Sequence, residues 1–255
     1  MTDHIETHIT GGVLTLVMNR PDKKNALTSA MYAALADALE AAETHEAVRA
    51  ILIRGAGDLF TAGNDLSEFA AVATGAADQQ QVMRFLHALA AAAKPLIAAV
   101  QGRAVGVGTT LLLHCDYVVL ADDAWLSTPF VNLALVPEAA SSLLLPARIG
   151  HARAYAMLAL GEAVNAQDAV AWGLANKAVP AAELIATAEA VAQRLTRQPL
   201  GALIATKRLM RATEAIVAQM AVETAQFGAR LTTAEAQEAF RAFAERRAPD
   251  FASVG

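Results

Sequence analysis

A glutamate within an apolar stretch is the side chain in this sequence best suited to proton transfer. Glu138 follows Pro137 in the segment LVPEAASSLL. Most of its near neighbours in sequence are aliphatic: Leu133, Leu135, Val136, Leu143 and Leu144. Such a setting raises the pKa of a carboxyl toward neutral pH, where the group can accept and return a proton. A glutamate directly after a proline is also typical of a helix start, where the helix dipole stabilises its charge. The residues alone leave both interpretations open.

Two glycine-bearing loops offer backbone donors. They cover residues 58–66 (DLFTAGNDL) and 102–108 (GRAVGVG), and each precedes a predicted helix start. The first N–H groups of a helix have no acceptor within the helix and carry partial positive charge. Two such ends that face one point would bind an oxyanion. Ordinary turns between a sheet and its helices use the same residue types, so spacing alone does not decide.

Other common chemistries lack their residues. The six histidines are scattered, Cys115 is the single cysteine and no HExxH motif is present, so we expect no metal site. No GxGxxG follows the first strand and no GxxxxGK(S/T) occurs, which argues against a nucleotide-binding loop. Ser141 and Ser142 are not framed as GxSxG, which weakens a serine hydrolase.

The elements that must position these residues alternate between strands and helices. Gly11-Gly12 between two apolar runs predicts a hairpin of strands 5–10 and 13–18. The hydrophobic pattern predicts helices at 28–44, with Thr28 as N-cap, near 79–92 and near 107–114, and strands at 50–53, 96–100 and 117–121. This order predicts a mainly parallel sheet. Residues 181–247 are predicted to be helical, with breaks at Pro199 and near 228–232.

Composition limits the classes of protein to consider. Of the 255 residues, 55% are hydrophobic and 18% are charged, which excludes disorder and favours buried subunit contacts. The length suits one large domain, alone or with a small appendage. No apolar run approaches the ~20 residues that cross a bilayer. Without a signal peptide or a cysteine pair, we expect a cytoplasmic protein. The net charge of −5 provides no basic face for nucleic acid.

A set of motifs covers nearly the whole chain in a familiar order. They are NRPDKKNAL (19–27), FTAGNDL (60–66), KPLIAAVQGRAVGVG (94–108), Cys115-Asp116, LVPEAASSLLLPARIG (135–150), GLANKAVP (173–180) and FAERRAPDF (243–251). Together they resemble the crotonase superfamily, which includes the enoyl-CoA hydratases and isomerases. The resemblance implies an α/β fold built as a spiral of ββα units. It also implies a core at residues 1–196 and a helical trimerisation region at residues 197–255.

The same resemblance implies a site for acyl-CoA thioesters. The thioester carbonyl would lie between the backbone N–H groups of Asn64 and Val107. Further positions match family contacts to CoA or to the acyl chain: Lys24, Ala26, Ala62, Gly63, Asp65, Leu66, Phe130, Phe243 and Arg246. In relatives the last two reach the CoA of a neighbouring subunit, although an apolar helix stripe with a solvated arginine explains them equally well.

The resemblance also bears on partners and cofactors. It implies a homotrimer or a dimer of trimers. It implies no cofactor beyond the coenzyme A of the substrate. The scattered histidines, the net charge of −5 and the short apolar runs are the reasons to expect no metal and neither nucleic acid nor membrane as a partner.

The choice among the reactions of this superfamily rests on few positions. Its hydratases use two glutamates, and the matching positions here hold Thr110 and Phe130, so the acid–base pair that hydration needs is lost. The PEAASS segment instead resembles the Δ3,Δ2-enoyl-CoA isomerases, in which this glutamate is the catalytic base. We therefore expect Glu138 to move a proton from C2 to C4 of a 3-enoyl-CoA in fatty acid β-oxidation.

Alternatives to this activity stay open from the sequence. They are enoyl-CoA hydration, ring isomerisation of a CoA thioester, and silent binding of acyl-CoA. Asp116 is expected to be structural. Asn132 suits either the acyl pocket or a turn.

Overall fold

The N-terminal hairpin begins the main sheet. The computed structural model describes residues 2–65, 67–68 and 79–254. Strand β1 (Ile5–Thr10) pairs antiparallel with β2 (Val13–Met18). The two glycines between them have φ values of 58° and 83°, the left-handed conformations that a two-residue hairpin turn requires. The predicted hairpin is confirmed.

Parallel strands extend this sheet. They are β3 (Ala50–Gly55), β4 (Leu96–Val100), β6 (Tyr117–Ala121) and β9 (Lys177–Val179), and the sheet order is β1-β2-β3-β4-β6-β9. Every described strand pair of this sheet after the hairpin is parallel. Strand β4 is buried along its whole length, which explains its continuous apolar sequence. A second sheet contains β5 (Arg103–Val105), β7 (Trp125–Ser127) and β8 (Val164–Asn165).

Helices connect and cover the strands. In chain order they are α1 (Ser29–Thr44), α2 (Gln80–Ala91), α3 (Val107–Thr110), α4 (Ser141–Ile149), α5 (His151–Leu160), α6 (Ala166–Trp172) and α7 (Leu184–Thr196). Thr28 caps α1 as predicted, because its hydroxyl oxygen accepts from the backbone N–H of Met31. The helix predicted near residues 107–114 consists of α3 followed by a 3₁₀ turn, Leu111–His114. Shorter 3₁₀ turns lie at Pro21–Lys23, Val131–Leu133, Ala181–Glu183 and Phe251–Ser253.

The C-terminal part of the described chain is helical, as predicted. Its helices are α8 (Leu200–Met210), α9 (Thr213–Leu231) and α10 (Ala234–Ala244). Helix α9 continues through Gly228, so only the end of the predicted 228–232 break is present. An additional break at residues 211–212 was not predicted. The division at residue 196 stays a prediction.

Packing brings these last helices against the rest of the chain. Helix α9 contacts α2 and α4, and α10 contacts the Val131–Leu133 turn. The C-terminal helices therefore lie beside the segment that contains Glu138. Within the described ranges, no helix is both long enough and apolar enough to span a bilayer.

Candidate active site

A cavity of about 920 Å³ gathers most of the residues that the sequence singled out. Among its lining residues are Lys24, Ala26, Ala62, Gly63, Asn64, Asp65, Phe130, Asn132, Phe243 and Arg246. The structure thus places Phe243 and Arg246 at a cavity of their own chain. Leu66 lies outside the described residues. Val107 is fully buried. It follows Gly106 in sequence, and Gly106 lines the cavity.

The first candidate donor is the backbone N–H of Asn64. A short parallel bridge fixes this loop: the Leu27 N–H donates to the Gly63 carbonyl at 2.8 Å, and the Asp65 N–H donates to the Leu27 carbonyl at 2.9 Å. In such a bridge the N–H of the residue between the two bonds points away from its partner strand. Asn64 also lines the cavity, and its side-chain oxygen accepts from the Tyr32 hydroxyl. Its backbone N–H is therefore available for an oxyanion.

The second candidate donor is the backbone N–H of Val107. Gly106 has φ 55° and ψ −119°, a conformation that favours glycine, and its N–H donates to the Ser127 carbonyl at 2.9 Å. Helix α3 begins at the next residue. Because Val107 is the first residue of that helix, its N–H has no acceptor within the helix. The turn at Gly106 thus leaves the Val107 N–H of the second glycine loop without an acceptor in the helix.

Close contact between the two loops brings the segments that contain these donors together. Gly63 has φ 89°, and a Cβ atom at this position would lie only 2.8 Å from the Val105 carbonyl oxygen. The Thr61 carbonyl accepts from the Val105 N–H at 3.1 Å. A side chain at residue 63 would separate the loops, so glycine is required for this approach.

Two side chains that sequence reasoning missed support the first loop. Fully buried Asn25 donates its amide to the carbonyls of Ala56 and Leu59, both at 2.8 Å. Arg20 donates to Asp65 at 2.7 Å and to the Ala26 carbonyl at 3.0 Å. Both lie in the NRPDKKNAL motif, whose polar residues are the signal in the sequence that points to them.

Glu138 lies in a small adjoining cavity of about 20 Å³. Asn64 and Phe227 line both this cavity and the large one, so they form the boundary between them. The remaining lining residues are Gln79, Val82, Met83, Leu86 and Thr224. Glu138 is half-buried and shares this small cavity with Asn64 and several apolar side chains.

The environment of Glu138 suits reversible proton transfer. Burial raises the pKa of its carboxyl to about 7, and the negative charge of Glu223 acts in the same direction. A hydrogen bond from the Thr110 hydroxyl to Oε1, at 2.5 Å, opposes this rise. Among the described residues, no ion pair involves Glu138. Near neutral pH the group is therefore present in both its charged and its protonated forms.

Asp116 occupies a different setting. Its carboxylate accepts from the Lys207 ammonium at 2.6 Å and from the Leu96 N–H at 2.8 Å. It borders a separate cavity of about 500 Å³ that does not include Glu138. The side chain joins strand β4 to helix α8, which supports the predicted structural role. No group of three or more potential metal ligands is present in the parts of the chain described.

Comparison with known proteins identifies the family. A sequence model described as Enoyl-CoA hydratase/isomerase matches residues 8–254. The chain belongs to the enoyl-CoA hydratase/isomerase family. The resemblance to the crotonase superfamily and the predicted α/β fold class are therefore confirmed. As a member of the family, the chain is an enzyme acting on acyl-CoA thioesters.

Individual relatives in this family carry different activity names. The chain is 34% identical to 1,2-epoxyphenylacetyl-CoA isomerase of Escherichia coli over 98% of its length and 99% of that protein. It is 39% identical to rat enoyl-CoA delta isomerase 2 over 67% of its length and 44% of the rat protein. Other relatives are named as probable enoyl-CoA hydratases.

A solved structure of the family supports the fold. The enoyl-CoA hydratase/isomerase of Pseudoalteromonas atlantica aligns with a TM-score of 0.92 and 39% identity. The alignment covers 98% of this chain and all of that one.

Proposed function

We propose that this member of the family converts 3-enoyl-CoA to 2-enoyl-CoA with Glu138 as the single proton shuttle. The observation that carries the proposal is the half-buried Glu138 carboxyl, whose pKa burial raises to about 7, in a small cavity that Asn64 also lines. A general acid–base group works best when its pKa lies near the working pH. The same carboxyl can then accept and return one proton.

The proposed reaction has two proton transfers. The Glu138 carboxylate removes a proton from C2, and the C2–H electrons pass into the thioester to give a dienolate. The N–H groups of Asn64 and Val107 stabilise the negative oxygen. Protonated Glu138 then delivers the proton to C4 as the double bond moves from C3–C4 to C2–C3. No cofactor beyond the CoA of the substrate is required.

The absence of a second catalytic carboxyl at the matching positions favours isomerisation over hydration. Thr110 uses its hydroxyl to donate to Glu138, and Phe130 contributes an apolar wall to the large cavity. The one other carboxylate among the described lining residues of the two cavities, Asp65, is paired with Arg20. Activation of water would need a further base.

Product analysis tests this proposal. Purified enzyme is incubated separately with a 3-enoyl-CoA and a 2-enoyl-CoA, and the products are separated by chromatography. We expect 3-enoyl-CoA to yield 2-enoyl-CoA with little 3-hydroxyacyl-CoA. Rapid formation of 3-hydroxyacyl-CoA from 2-enoyl-CoA would indicate a hydratase. Binding without turnover of either ester would contradict both activities. A ring-opened or ring-expanded product from an epoxyphenylacetyl-CoA alone would favour ring isomerisation.

We also propose assembly into trimers or dimers of trimers. Leu209 and Met210 at the end of α8 are 90% and 83% exposed, which is unfavourable for large apolar side chains of an isolated chain. Light scattering at micromolar concentration should give the mass of three or six chains. A stable monomer would contradict this proposal.

A further inference from the structure

The backbone just after Glu138 adopts an uncommon conformation. Ala139 and Ala140 have φ values of 60° and 55°, so two consecutive residues with side chains are left-handed. Residues with side chains rarely adopt this left-handed conformation, and it persists only where surrounding contacts hold the backbone in place. Helix α4 begins at Ser141 directly afterwards. The placement of Glu138 therefore depends on whatever secures this segment.

A buried glutamate of helix α9 secures the segment from one side. Glu223 accepts from the Ala140 N–H at 2.6 Å, from the Ser142 N–H at 2.9 Å and from the Ser142 hydroxyl at 2.5 Å. Gln219, one turn earlier on α9, donates to the same hydroxyl at 2.9 Å. Glu223 is 5% exposed, and no described ion pair involves it. Its carboxylate thus substitutes for the missing side-chain cap of α4.

A histidine secures the segment from the other side. The Nε2 atom of His114 lies 2.8 Å from the Ala139 carbonyl oxygen, and Arg211 donates to Nδ1 at 2.5 Å. Because Arg211 can only donate, we assign the His114 proton to Nε2, from which it reaches the Ala139 carbonyl. Burial lowers the pKa of His114 to about 3, and the charge of Arg211 contributes. The ring therefore stays neutral at physiological pH.

These contacts give the C-terminal helices a part in the reaction. We propose that Glu223 is a positioning residue for the catalytic base, holding the Ala139–Ser142 backbone so that Glu138 faces the reacting carbons. The inference rests on the proposed function of Glu138. It extends the role of the C-terminal helices beyond assembly, because α9 supplies a side chain without which the base is not fixed.

A second consequence is electrostatic. Burial is the main cause of the raised pKa of Glu138, and the Glu223 charge adds to it. The other titratable group described as facing Glu138 is Tyr32 on α1, whose pKa is raised mainly by burial. Glu68 faces Tyr32 in turn. Neutralising Glu223 should therefore lower the pKa of Glu138 while loosening its backbone.

The test uses Glu223→Gln, which keeps the shape but removes the charge and one acceptor. We expect kcat for 3-enoyl-CoA to fall by about 10- to 100-fold, the loss that follows from a misplaced catalytic group, with KM little changed. The acid limb of the kcat profile should move to lower pH. A titration of ¹³C-carboxyl glutamate, with the Glu138 signal assigned by its loss in Glu138→Gln, should show the same shift without any turnover.

A matched control is Glu43→Gln. Glu43 also accepts a backbone N–H, that of Ala93 at 3.1 Å, but it is not among the described residues that line the two cavities of the candidate site. This variant should keep the kcat and the Glu138 titration of the parent enzyme. If Glu223→Gln does not fold, Glu223→Asp keeps the charge on a shorter stem. It should lower kcat while leaving the Glu138 titration near its original pH.

The outcomes separate this inference from the proposed function. A folded Glu223→Gln enzyme with unchanged kcat and unchanged Glu138 titration would overturn the inference. In a folded Glu223→Gln enzyme, which lacks the charge, a fall in kcat without movement of the titration would reduce Glu223 to a structural residue and would also overturn it. A shifted titration in an enzyme whose parent does not isomerise 3-enoyl-CoA would support the positioning role and contradict the proposed activity.

Discussion

Glu138 and Asp116 are both carboxylates beside cavities, but within the described part of the chain only Asp116 has a cation as a partner. Lys207 and a backbone N–H hold the Asp116 charge, and from the residues that the structure describes Glu138 receives one hydrogen bond, from Thr110. Burial without a cation raises the pKa of Glu138 to about 7. A carboxyl so placed exchanges protons near neutral pH, whereas a paired one joins secondary-structure elements.

The cavities next to these carboxylates also differ in whether their polar groups already have partners in the protein. The 500 Å³ cavity contains Arg148, Lys207 and Arg211, and each of these cations already donates to a protein oxygen. The 920 Å³ cavity instead borders the Asn64 and Gly106 turns, where backbone donors are directed by glycine conformations. Cavity size and charge alone therefore do not identify the active site. The active site is identified by backbone N–H groups that have no acceptor among the described residues of the protein.

The largest expected effect comes from Glu138→Gln. The amide keeps the shape of the side chain but cannot accept the C2 proton, so turnover should fall by at least ~10²–10⁴-fold. Affinity for a CoA ester should change little, because backbone donors hold the thioester. Steady-state kinetics and calorimetric binding measure the two quantities. Retention of most isomerase activity would contradict the assignment of the base.

Gly63→Ala should have the next largest effect. Its Cβ atom would push against the Val105 carbonyl and displace the Asn64 donor, and loss of one such donor costs ~10²–10³ in rate. Gly173→Ala is the matched control, since Gly173 has φ 87° but no atom within 4 Å of the added carbon. Both variants should lose stability in thermal unfolding, and only the first should lose turnover. If Gly63→Ala and Gly173→Ala had equal activities, close contact between the two loops would not be required for turnover.

Thr110→Val should change the pH dependence more than the maximal rate. The Thr110 hydroxyl stabilises the Glu138 carboxylate, so its loss raises the pKa of Glu138 further. Because the base must be ionised, the acid limb of kcat should move to higher pH. At pH 7 we expect a loss of about 10-fold, because a hydrogen bond to a charged carboxylate contributes about 1.5–3 kcal/mol and less of the Glu138 carboxyl is ionised without it. The shift is opposite in sign to that of Glu223→Gln, and shifts of equal sign would contradict the electrostatic account.

Asp116→Asn should have the smallest effect on turnover. It leaves Lys207 without its counter-charge in a partly screened site, which should cost about 1–3 kcal/mol of unfolding free energy. Urea unfolding measures this cost. The kcat of the folded variant should stay close to that of the parent. A large loss of kcat at unchanged stability would give Asp116 a role in the reaction and end the contrast with Glu138.

Local patterns allowed much of the fold to be predicted. The Gly11-Gly12 turn and the Thr28 cap depend on neighbouring residues, so both were visible in the sequence. The break at residues 211–212 was not visible, because Arg211 bonds there to His114 and to the Leu89 carbonyl, far away in sequence. Gly228 suggested a break, but helix α9 tolerates it in its interior.

The candidate site was only partly predictable for the same reason. The family motifs located Glu138 and both glycine loops. The contacts that tune the base were not visible, since Thr110 lies 28 residues and Glu223 85 residues from Glu138 in sequence. Thr110 was recognised only as a lost glutamate, and the structure shows its hydroxyl donating to the base. Glu223 is brought close to the segment of Glu138 by the tertiary packing of α9.

Isotope transfer within one turnover tests most directly whether Glu138 alone carries the proton. The substrate is a 3-enoyl-CoA with two deuterons at C2, and the 2-enoyl-CoA product is analysed for deuterium at C4 by mass spectrometry and NMR. A single carboxyl in a cavity of about 20 Å³ should return part of the removed deuterium to C4 before it exchanges with water. A product in which C4 carries only solvent hydrogen at the shortest times would contradict the single proton shuttle.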